Sequence, residues 1–229
     1  MKRKKFLKSI PIAITVLLLL CLGGAACDQK KSIGYVAPTF DDGPDSKTTP
    51  KILKALQKYG ARATFFVIGE KAKKHPDILR DIIAGGHQLG NHSWSHRRLP
   101  LLSEDAADED LQRTQTTILD LVKVRMTVFR APFSHINERV SNIARKRKLH
   151  VVGWDLDSRD WTKLPPPSGE IAKRVCKDIR SGLIIIMHDD RPNMAEALDQ
   201  MLAQLERMGL KCVTIDELEM YKKAKLQRR

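Results

Sequence analysis

From residue 33 onward, short apolar runs alternate with amphipathic helical patterns. The apolar runs, rich in β-branched and aromatic residues, predict strands at 33–40, 63–68, 88–90 (a short strand or turn), 127–130, 150–155, 182–187 and 211–214. Apolar residues three or four positions apart predict helices at 50–59, 76–84, 103–122, 137–146, 169–180 and 195–208. This alternation predicts one barrel-like α/β domain with about seven parallel strands joined by helical crossovers.

The first 27 residues differ from this pattern. Residues 1–8 carry five basic side chains and no acid, residues 10–22 are almost entirely apolar, and small residues precede Cys27. This order predicts a signal peptide or lipoprotein signal at 1–27, followed by a single domain at 28–229. The apolar run is shorter than the roughly 20 residues of a membrane-spanning helix. The alternative, a buried helix of a cytosolic protein, would need apolar cover on every side.

The processing of this segment has two possible outcomes. Cleavage after Ala26 would release a soluble protein. Alternatively, residues 22–27 resemble a lipobox in which Cys27 becomes the lipidated first residue, although Gly24 stands where a larger aliphatic residue is usual. We therefore expect an exported protein, periplasmic or extracellular, whose attachment to a membrane would depend on a lipid at Cys27.

Charge and cysteine content restrict the partners and the redox chemistry. The net charge is +14, and five positive charges lie in the signal, so residues 28–229 carry +9 and favour anionic partners. Export and the absence of interleaved aromatic and basic residues argue against nucleic-acid binding. Cys176 and Cys212 could form a disulfide in an oxidising compartment or stay as separate buried thiols.

Titratable side chains follow five of the predicted strands. In parallel barrels the C-terminal strand ends meet at one face, and active sites lie there. We therefore expect these side chains to lie close together. They are Asp41 and Asp42, His92 and His96, Arg130, Asp157 and Asp160, and His188.

Two of these clusters predict a metal site. Asp41 and Asp42 are adjacent carboxylates, which repel each other and favour a cation or a shared proton, unless they form an acidic turn that caps the next helix. His92 and His96 are four residues apart and would share one face of a helical turn, unless both face solvent. Together they would form a two-histidine, one-carboxylate site with open positions for water and substrate.

Five motifs, in this order along the chain, resemble the polysaccharide deacetylase family (the NodB-homology domain). They are residues 39–44, 86–93 with His96, 130–133, 154–161 and 184–188. The resemblance covers residues 33 to about 218. It implies a distorted (β/α) barrel of the NodB-homology type that hydrolyses acetamides or acetyl esters of carbohydrates.

The resemblance also implies a role for each titratable residue of the first two motifs. Asp41 would be the general base, and Asp42, His92 and His96 would bind one divalent metal. Zinc suits these ligand types, and cobalt, manganese or iron would also be compatible with them.

The remaining motifs would complete the site. By resemblance, Arg130 orients the base and pairs with Asp160, and His188 is the general acid. The backbone N–H of Phe133 would help to hold the oxyanion. The acetyl pocket would be lined by Trp161 and Ile186.

One departure from the family pattern concerns the cleft wall. After Phe133 the family commonly has glycine, whereas this chain has Ser134 and His135. The difference affects the predicted substrate specificity rather than the chemistry, and it singles out His135 among the histidines outside the proposed site. The other three, His75, His87 and His150, are expected to be surface or structural residues.

These features predict a monomeric, metal-dependent hydrolase that removes N-acetyl groups from a GlcNAc-containing glycan and releases acetate. Peptidoglycan is the first expectation, because export and a basic surface favour a wall polymer. The alternatives are a chitooligosaccharide or poly-GlcNAc deacetylase, an esterase of acetylated xylan, a hydrolase of a cyclic amide, and a non-catalytic glycan-binding relative.

Overall fold

The computed structural model describes residues 34–162 and 164–227. The predicted export signal and the lipid attachment at Cys27 lie outside the described residues. In the part of the chain that is described, helices are too short or too polar to cross a bilayer.

Eight strands form one sheet in which every pairing is parallel. Seven of them follow the order β5-β4-β3-β2-β1-β7-β6, and β8 pairs with the first residues of β1. The prediction of a curled, barrel-like α/β fold is confirmed. The strands are β1 Gly34–Gly43, β2 Thr64–Val67, β3 Gln88–Asn91, β4 Val128–Phe129, β5 His150–Val151, β6 Leu156–Asp157, β7 Ile184–His188 and β8 Leu210–Cys212.

Helices cover the outside of the sheet, and the six predicted ones are present with ends shifted by at most two residues. The helices are α1 Thr49–Lys58, α2 Gly69–Lys74, α3 Pro76–Ala84, α4 Glu104–Val122, α5 Glu138–Lys146, α6 Ser168–Asp178, α7 Met194–Arg207 and α8 Ile215–Leu226. Two were not predicted: α2 has only six residues, and α8 buries only Ile215 and Leu218 at its start. Neither helix carries a long apolar stripe, which is the feature that predicts a helix from sequence.

The predicted single strand at 150–155 is wrong, because only His150 and Val151 form a strand, and the next strand, at the opposite edge of the sheet, begins at Leu156. β5 pairs with β4, whereas β6 pairs with β7. Between them, the carbonyl oxygens of Val152 and Gly153 accept hydrogen bonds from the Arg130 guanidinium at 3.4 and 2.9 Å. The side chain of Arg130 therefore binds two carbonyl oxygens that would pair with a neighbouring strand if the strand continued.

The centre of the sheet is β1, which pairs with β2 on one side and β7 on the other. Its register places Asp41 directly opposite His188. The core beneath is apolar and includes the stacked rings of Phe40 and Phe65, whose centroids are 5.0 Å apart. The acidic end of β1 is thereby held by a rigid, buried strand.

The two cysteines of the described region are free thiols, so the structure contains no Cys176–Cys212 disulfide. Cys212 is buried on β8 and Cys176 is half-buried on α6. Burial raises the pKa of the Cys212 thiol to about 12, and the neighbouring Cys176 adds to the shift. Both groups are therefore protonated, weakly nucleophilic thiols at neutral pH.

Candidate active site

The C-terminal strand ends surround an open cleft of about 490 Å³. Of the ten residues predicted for the site, eight line this cleft: Asp41, Asp42, His92, His96, Phe133, Trp161, Ile186 and His188. The other two, Arg130 and Asp160, are each 1% exposed and lie beneath it, bonded to Asp41 and His188 respectively. The parallel topology accounts for this gathering, because it brings separate strand ends to one face.

Three of these side chains are close enough to bind one ion. The Oδ1 atom of Asp42 lies 3.3 Å from Nε2 of His92 and 3.0 Å from Nε2 of His96. All three ligand atoms lie within 4.8 Å of one another. The Nδ1 atom of His92 lies 2.8 Å from the Arg130 carbonyl oxygen, to which it donates, and Nε2 is left as the ligand nitrogen.

The electrostatics of Asp42 agree with such a site. Its Oδ1 atom is buried and has no hydrogen bond of good geometry within the described residues. Burial opposes ionisation, but the imidazoles of His92 and His96, whose Nε2 atoms lie 3.3 and 3.0 Å from Oδ1, outweigh it and hold the pKa of Asp42 well below its usual range. An ionised, buried carboxylate oxygen facing two imidazoles fits a divalent metal.

The two histidines reach this position from a loop, so the predicted helical turn is wrong. Ser93 and His96 have left-handed backbone conformations, with φ values of 68° and 54°. The loop is held by hydrogen bonds from the Ser93 N–H to Asn91 Oδ1 and from the His96 N–H to Ser93 Oγ, both 2.9 Å. Side-chain bonding to the local backbone replaces helical hydrogen bonds here.

Asp41 lies beside the metal-ligand cluster and is held by a buried arginine. The Nη1 atom of Arg130 donates to Oδ1 of Asp41 at 2.8 Å and to the Thr39 hydroxyl at 2.7 Å. The other carboxylate oxygen, Oδ2, lies 3.9 Å from His92 Nε2. Arg130 therefore holds the Oδ1 atom of Asp41, and the Oδ2 atom faces the cluster.

The predicted pairing of Asp160 with Arg130 is wrong, because Asp160 binds His188 instead. Asp160 Oδ1 lies 2.8 Å from His188 Nδ1, and Asp160 Oδ2 accepts the backbone N–H of His188 at 2.8 Å. The Ser158 hydroxyl also donates to Oδ1 at 3.0 Å. The Arg130 guanidinium donates its hydrogen bonds to Asp41 and to backbone carbonyl oxygens instead.

This contact changes the protonation of His188. Burial disfavours the charged imidazolium, but the hydrogen bond and charge of Asp160, together with the charges of Asp41 and Asp42, raise the pKa of His188 to about 9. The ring is therefore protonated at neutral pH. With Nδ1 donating to Asp160, the Nε2–H remains as a donor toward the cleft.

Aromatic and apolar side chains form the cleft walls. Trp161 is 53% exposed, and its indole N–H donates to Asp157 at 3.2 Å. Phe133 is 50% exposed and its ring centroid lies 4.5 Å from that of His96, whereas Ile186 on β7 is buried. Each of the three lines the cleft.

Sequence reasoning did not assign several residues that support the site or line it. Lys71 of α2 donates from Nζ to the Asp42 carbonyl oxygen at 2.6 Å. Arg98, Trp154 and Arg191 line the cleft. Asp189, adjacent to His188, is fully buried, but it stands in the polar stretch 188–191, where no pattern in the sequence indicates burial.

Asp189 supports the turn that carries the acidic pair. Its Oδ2 atom accepts the Thr49 hydroxyl at 2.9 Å, and its N–H donates to the Asp41 carbonyl oxygen at 3.1 Å. A Cβ atom placed on Gly43 would lie 2.0 Å from Oδ2, so only glycine fits there. Burial raises the pKa of Asp189 to about 8; the Thr49 hydroxyl opposes the shift, and Asp190 adds to it.

This shift predicts a pH-dependent loss of stability. The folded chain keeps the Asp189 proton up to about pH 8, whereas the unfolded chain releases it near the ordinary value of 3.8. Because the unfolded state binds fewer protons in this window, the contribution of Asp189 to stability is complete below pH 3.8 and lost as pH rises through 8. Asp189→Asn cannot titrate, so its melting temperature should fall less between pH 5 and 9 than that of the wild type.

Thermal unfolding at pH 5, 7 and 9, followed by circular dichroism, measures the difference. Asp190→Asn is the matched control, since Asp190 is half-buried and ion-paired with Lys71 and Arg191. Parallel pH curves for the wild type and Asp189→Asn would show that Asp189 is ionised in the folded protein.

We compared the chain with known protein families and with known proteins. The family model described as polysaccharide deacetylase matches residues 28–152. The peptidoglycan-N-acetylglucosamine deacetylase PgdA of Listeria monocytogenes is 34% identical over 190 residues, which cover 83% of this chain and 40% of that protein. The chain thus spans well under half the length of that relative.

Solved structures give the same result at the level of the fold. The peptidoglycan deacetylase PdaC from Bacillus subtilis has a TM-score of 0.81 at 34% identity and covers 86% of this chain and 96% of that one. A family 4 carbohydrate esterase pseudoenzyme from Bacillus anthracis has a TM-score of 0.76 at 29% identity, covering 82% of this chain and 66% of that one. The family match and this shared fold establish that the chain belongs to the polysaccharide deacetylase family.

Proposed function

We propose that this protein is an exported, metal-dependent deacetylase that hydrolyses N-acetyl groups of a GlcNAc-containing glycan. Peptidoglycan is the substrate that we favour. The observation that carries the proposal is the grouping of Asp41 and His188 around the Asp42–His92–His96 cluster in one cleft. Peptidoglycan is favoured by the names of the relatives PgdA and PdaC and by the charge of +9 on residues 28–229.

The residues Asp42, His92 and His96 would hold one divalent metal, with zinc favoured by two imidazoles and a carboxylate and with cobalt, manganese or iron as alternatives. When bound, the metal supplies a Lewis acid that polarises the acetyl carbonyl and makes water more acidic. The backbone of the turn is held in place by Lys71 and Asp189.

Asp41 would act as the general base. Its Oδ2 atom faces the cluster and is free to take a proton from the water that attacks the acetyl carbonyl carbon. Arg130 holds Oδ1 and keeps the carboxylate in one orientation, so Arg130 is a positioning residue rather than a proton carrier.

His188 would act as the general acid. An amine is a poor leaving group, and it needs a proton as the carbon–nitrogen bond breaks. With its pKa raised to about 9, His188 holds that proton at neutral pH, and Asp160 directs the Nε2–H toward the cleft. Asp160 thus positions the acid, as Arg130 positions the base.

The acetyl group would lie against the apolar wall of the cleft. Trp161 and Ile186 would contact its methyl group, and the N–H of Phe133 would donate to the oxyanion that forms on the carbonyl oxygen. Loss of one such donor costs roughly 3–4 kcal/mol of transition-state stabilisation in comparable sites.

A non-catalytic role is the main alternative, because the family includes the pseudoenzyme noted above. In this chain the base, the acid and all three candidate ligands are present and meet in one cleft. That complement favours an active enzyme.

Acetate release tests the proposed function. The purified protein, supplied with zinc, is incubated with peptidoglycan, chitooligosaccharides and acetylated xylan side by side. We expect acetate from peptidoglycan first, a slower release from chitooligosaccharides, and loss of both on chelation. Release from xylan alone would refute the N-deacetylase, and no release from any substrate with any of the four metals would favour the non-catalytic alternative.

Export and the state of Cys27 form part of the same proposal. Globomycin treatment or mass spectrometry of the protein recovered from a producing cell would separate a lipid-anchored form from a soluble form cleaved after Ala26. Size-exclusion chromatography would test the proposed monomer.

A further inference from the structure

One wall of the cleft carries a cation that the proposed chemistry does not use. Arg98 follows the loop of His92 and His96, is exposed, and lines the cleft. Its guanidinium carbon lies 5.0 Å from the centroid of the Phe133 ring, and its Nη1 atom lies 3.5 Å from Nδ1 of His135. Arg98, Phe133 and His135 thus form one contact cluster, here called the rim cluster.

The carboxylates that line the cleft are all engaged elsewhere. Asp41 is bonded to Arg130, Asp42 faces the two histidines, and Asp157 accepts the Trp161 indole. Within the described residues, no carboxylate lies within ion-pair distance of Arg98. The rim cluster therefore presents a positive charge that is not neutralised by the protein.

The geometry of the rim cluster suits a carboxylate ligand. Contacts with Phe133 and His135 restrain the planar guanidinium, and arginine binds carboxylates through two N–H groups in a bidentate contact. His135 adds a ring nitrogen beside it. The Phe133–Ser134 segment holds two left-handed, non-glycine residues, with φ values of 57° and 58°, so this wall has a defined conformation.

The position of the rim cluster limits what it would bind. Phe133 is in contact with both His96 and Arg98, so a single ring separates the metal-ligand cluster from the guanidinium. A carboxylate held by Arg98 would thus belong to the deacetylated sugar or to the sugar next to it. Neutral glycans such as chitin carry no such group, whereas the lactyl ether of N-acetylmuramic acid does.

We infer that the rim cluster is a carboxylate subsite that selects glycans with an acidic substituent beside the acetamido group. This inference rests on the proposed function and names its substrate class more narrowly. Arg98 is the specificity-determining residue, because it supplies the charge, and His135 is the residue by which this chain departs from the usual glycine-containing pattern of the loop.

The test compares two ligands that differ at one group. Peptide-free peptidoglycan oligosaccharides are prepared with the lactyl carboxylate intact or converted to its amide, and kcat/KM is measured for acetate release from each. We expect the wild type to prefer the carboxylate by about five- to twentyfold, and Arg98→Gln to reduce this preference to about twofold or less. High salt should weaken the wild-type preference, because the contact is exposed and screened.

Arg125→Gln is the matched control, since it removes the same charge from a residue that does not line the cleft. It should keep the wild-type preference. An unchanged preference in Arg98→Gln, or a wild type that does not distinguish carboxylate from amide, would overturn the carboxylate subsite.

A binding measurement separates this inference from the proposed function. Calorimetry with the already deacetylated oligosaccharides, carboxylate and amide, requires no turnover, and the same preference and the same loss in Arg98→Gln are expected. Acetate release from neutral chitooligosaccharides by the wild type, with no carboxylate preference in either experiment, would leave the deacetylase standing and refute the subsite. A carboxylate preference in binding without acetate release from any glycan would support the subsite and refute the enzyme.

Discussion

Asp41→Asn is expected to lower kcat for acetate release by about 10²–10⁴-fold, the usual contribution of a general base. Asparagine keeps the shape of the side chain and an oxygen for Arg130, but it cannot accept a proton from water. Asp41 is assigned as the base rather than a metal ligand, so the metal content of the variant should match that of the wild type. Initial rates and metal analysis of the same preparation measure both quantities.

Folding must be monitored in this variant, because Arg130 is buried and would lose its charged partner. Breaking a buried ion pair costs roughly 3–5 kcal/mol, so a lower melting temperature is expected, and rates are normalised to the folded fraction. Asp199→Asn, which removes a surface carboxylate paired with Lys58, should keep wild-type activity. Activity retained in folded Asp41→Asn would show that another group is the base.

The second large effect is expected on removal of a metal ligand. His92→Ala should lose bound metal and more than about 100-fold in activity, because even a hydrogen-bond partner of a ligand is worth 10–100-fold in metal affinity or activity. His92 is 2% exposed, and its imidazole is oriented by the Arg130 carbonyl oxygen, so its Nε2 atom is held toward the other two candidate ligands. Metal analysis and zinc titration of the chelated protein measure the loss directly.

His150→Ala is the control for this variant, since His150 is an exposed histidine on β5 at the edge of the sheet. It should bind metal and release acetate as the wild type does. Full metal content in His92→Ala would remove His92 from the ligand set and leave Asp42 and His96 to be tested singly.

Much of the fold follows from local pattern. The apolar runs of β1, β2 and β7 are buried on both faces. A continuous apolar run predicts a buried strand whichever strands lie beside it. Ser103, the first residue of the helix predicted at 103–122, is the N-cap of α4, because its hydroxyl accepts the Ala106 N–H at 3.2 Å. Elements with a long apolar stripe or a local cap were therefore predictable within about two residues.

Two of the errors depended on contacts between residues distant in sequence, whereas the loop of His92 and His96 departs from a helical turn through local side-chain bonds. The strand predicted at 150–155 ends at Val151, and Arg130 binds the carbonyl oxygens of the next two residues, Val152 and Gly153. Asp160 meets His188 rather than Arg130 through the pairing of β6 with β7. The rim cluster joins Arg98 to His135 across 37 residues, and no local periodicity records such a contact.

The amino-acid sequence by itself determined the parallel α/β architecture, the five motifs and the residue types available for the chemistry, because apolar periodicity and side-chain identity are local properties. Tertiary structure alone decided which residues touch. It placed Arg130 on Asp41, Asp160 on His188 and Arg98 over Phe133. These pairings set the charge and protonation of the site, since burial and neighbouring charges, rather than residue type, shift a pKa.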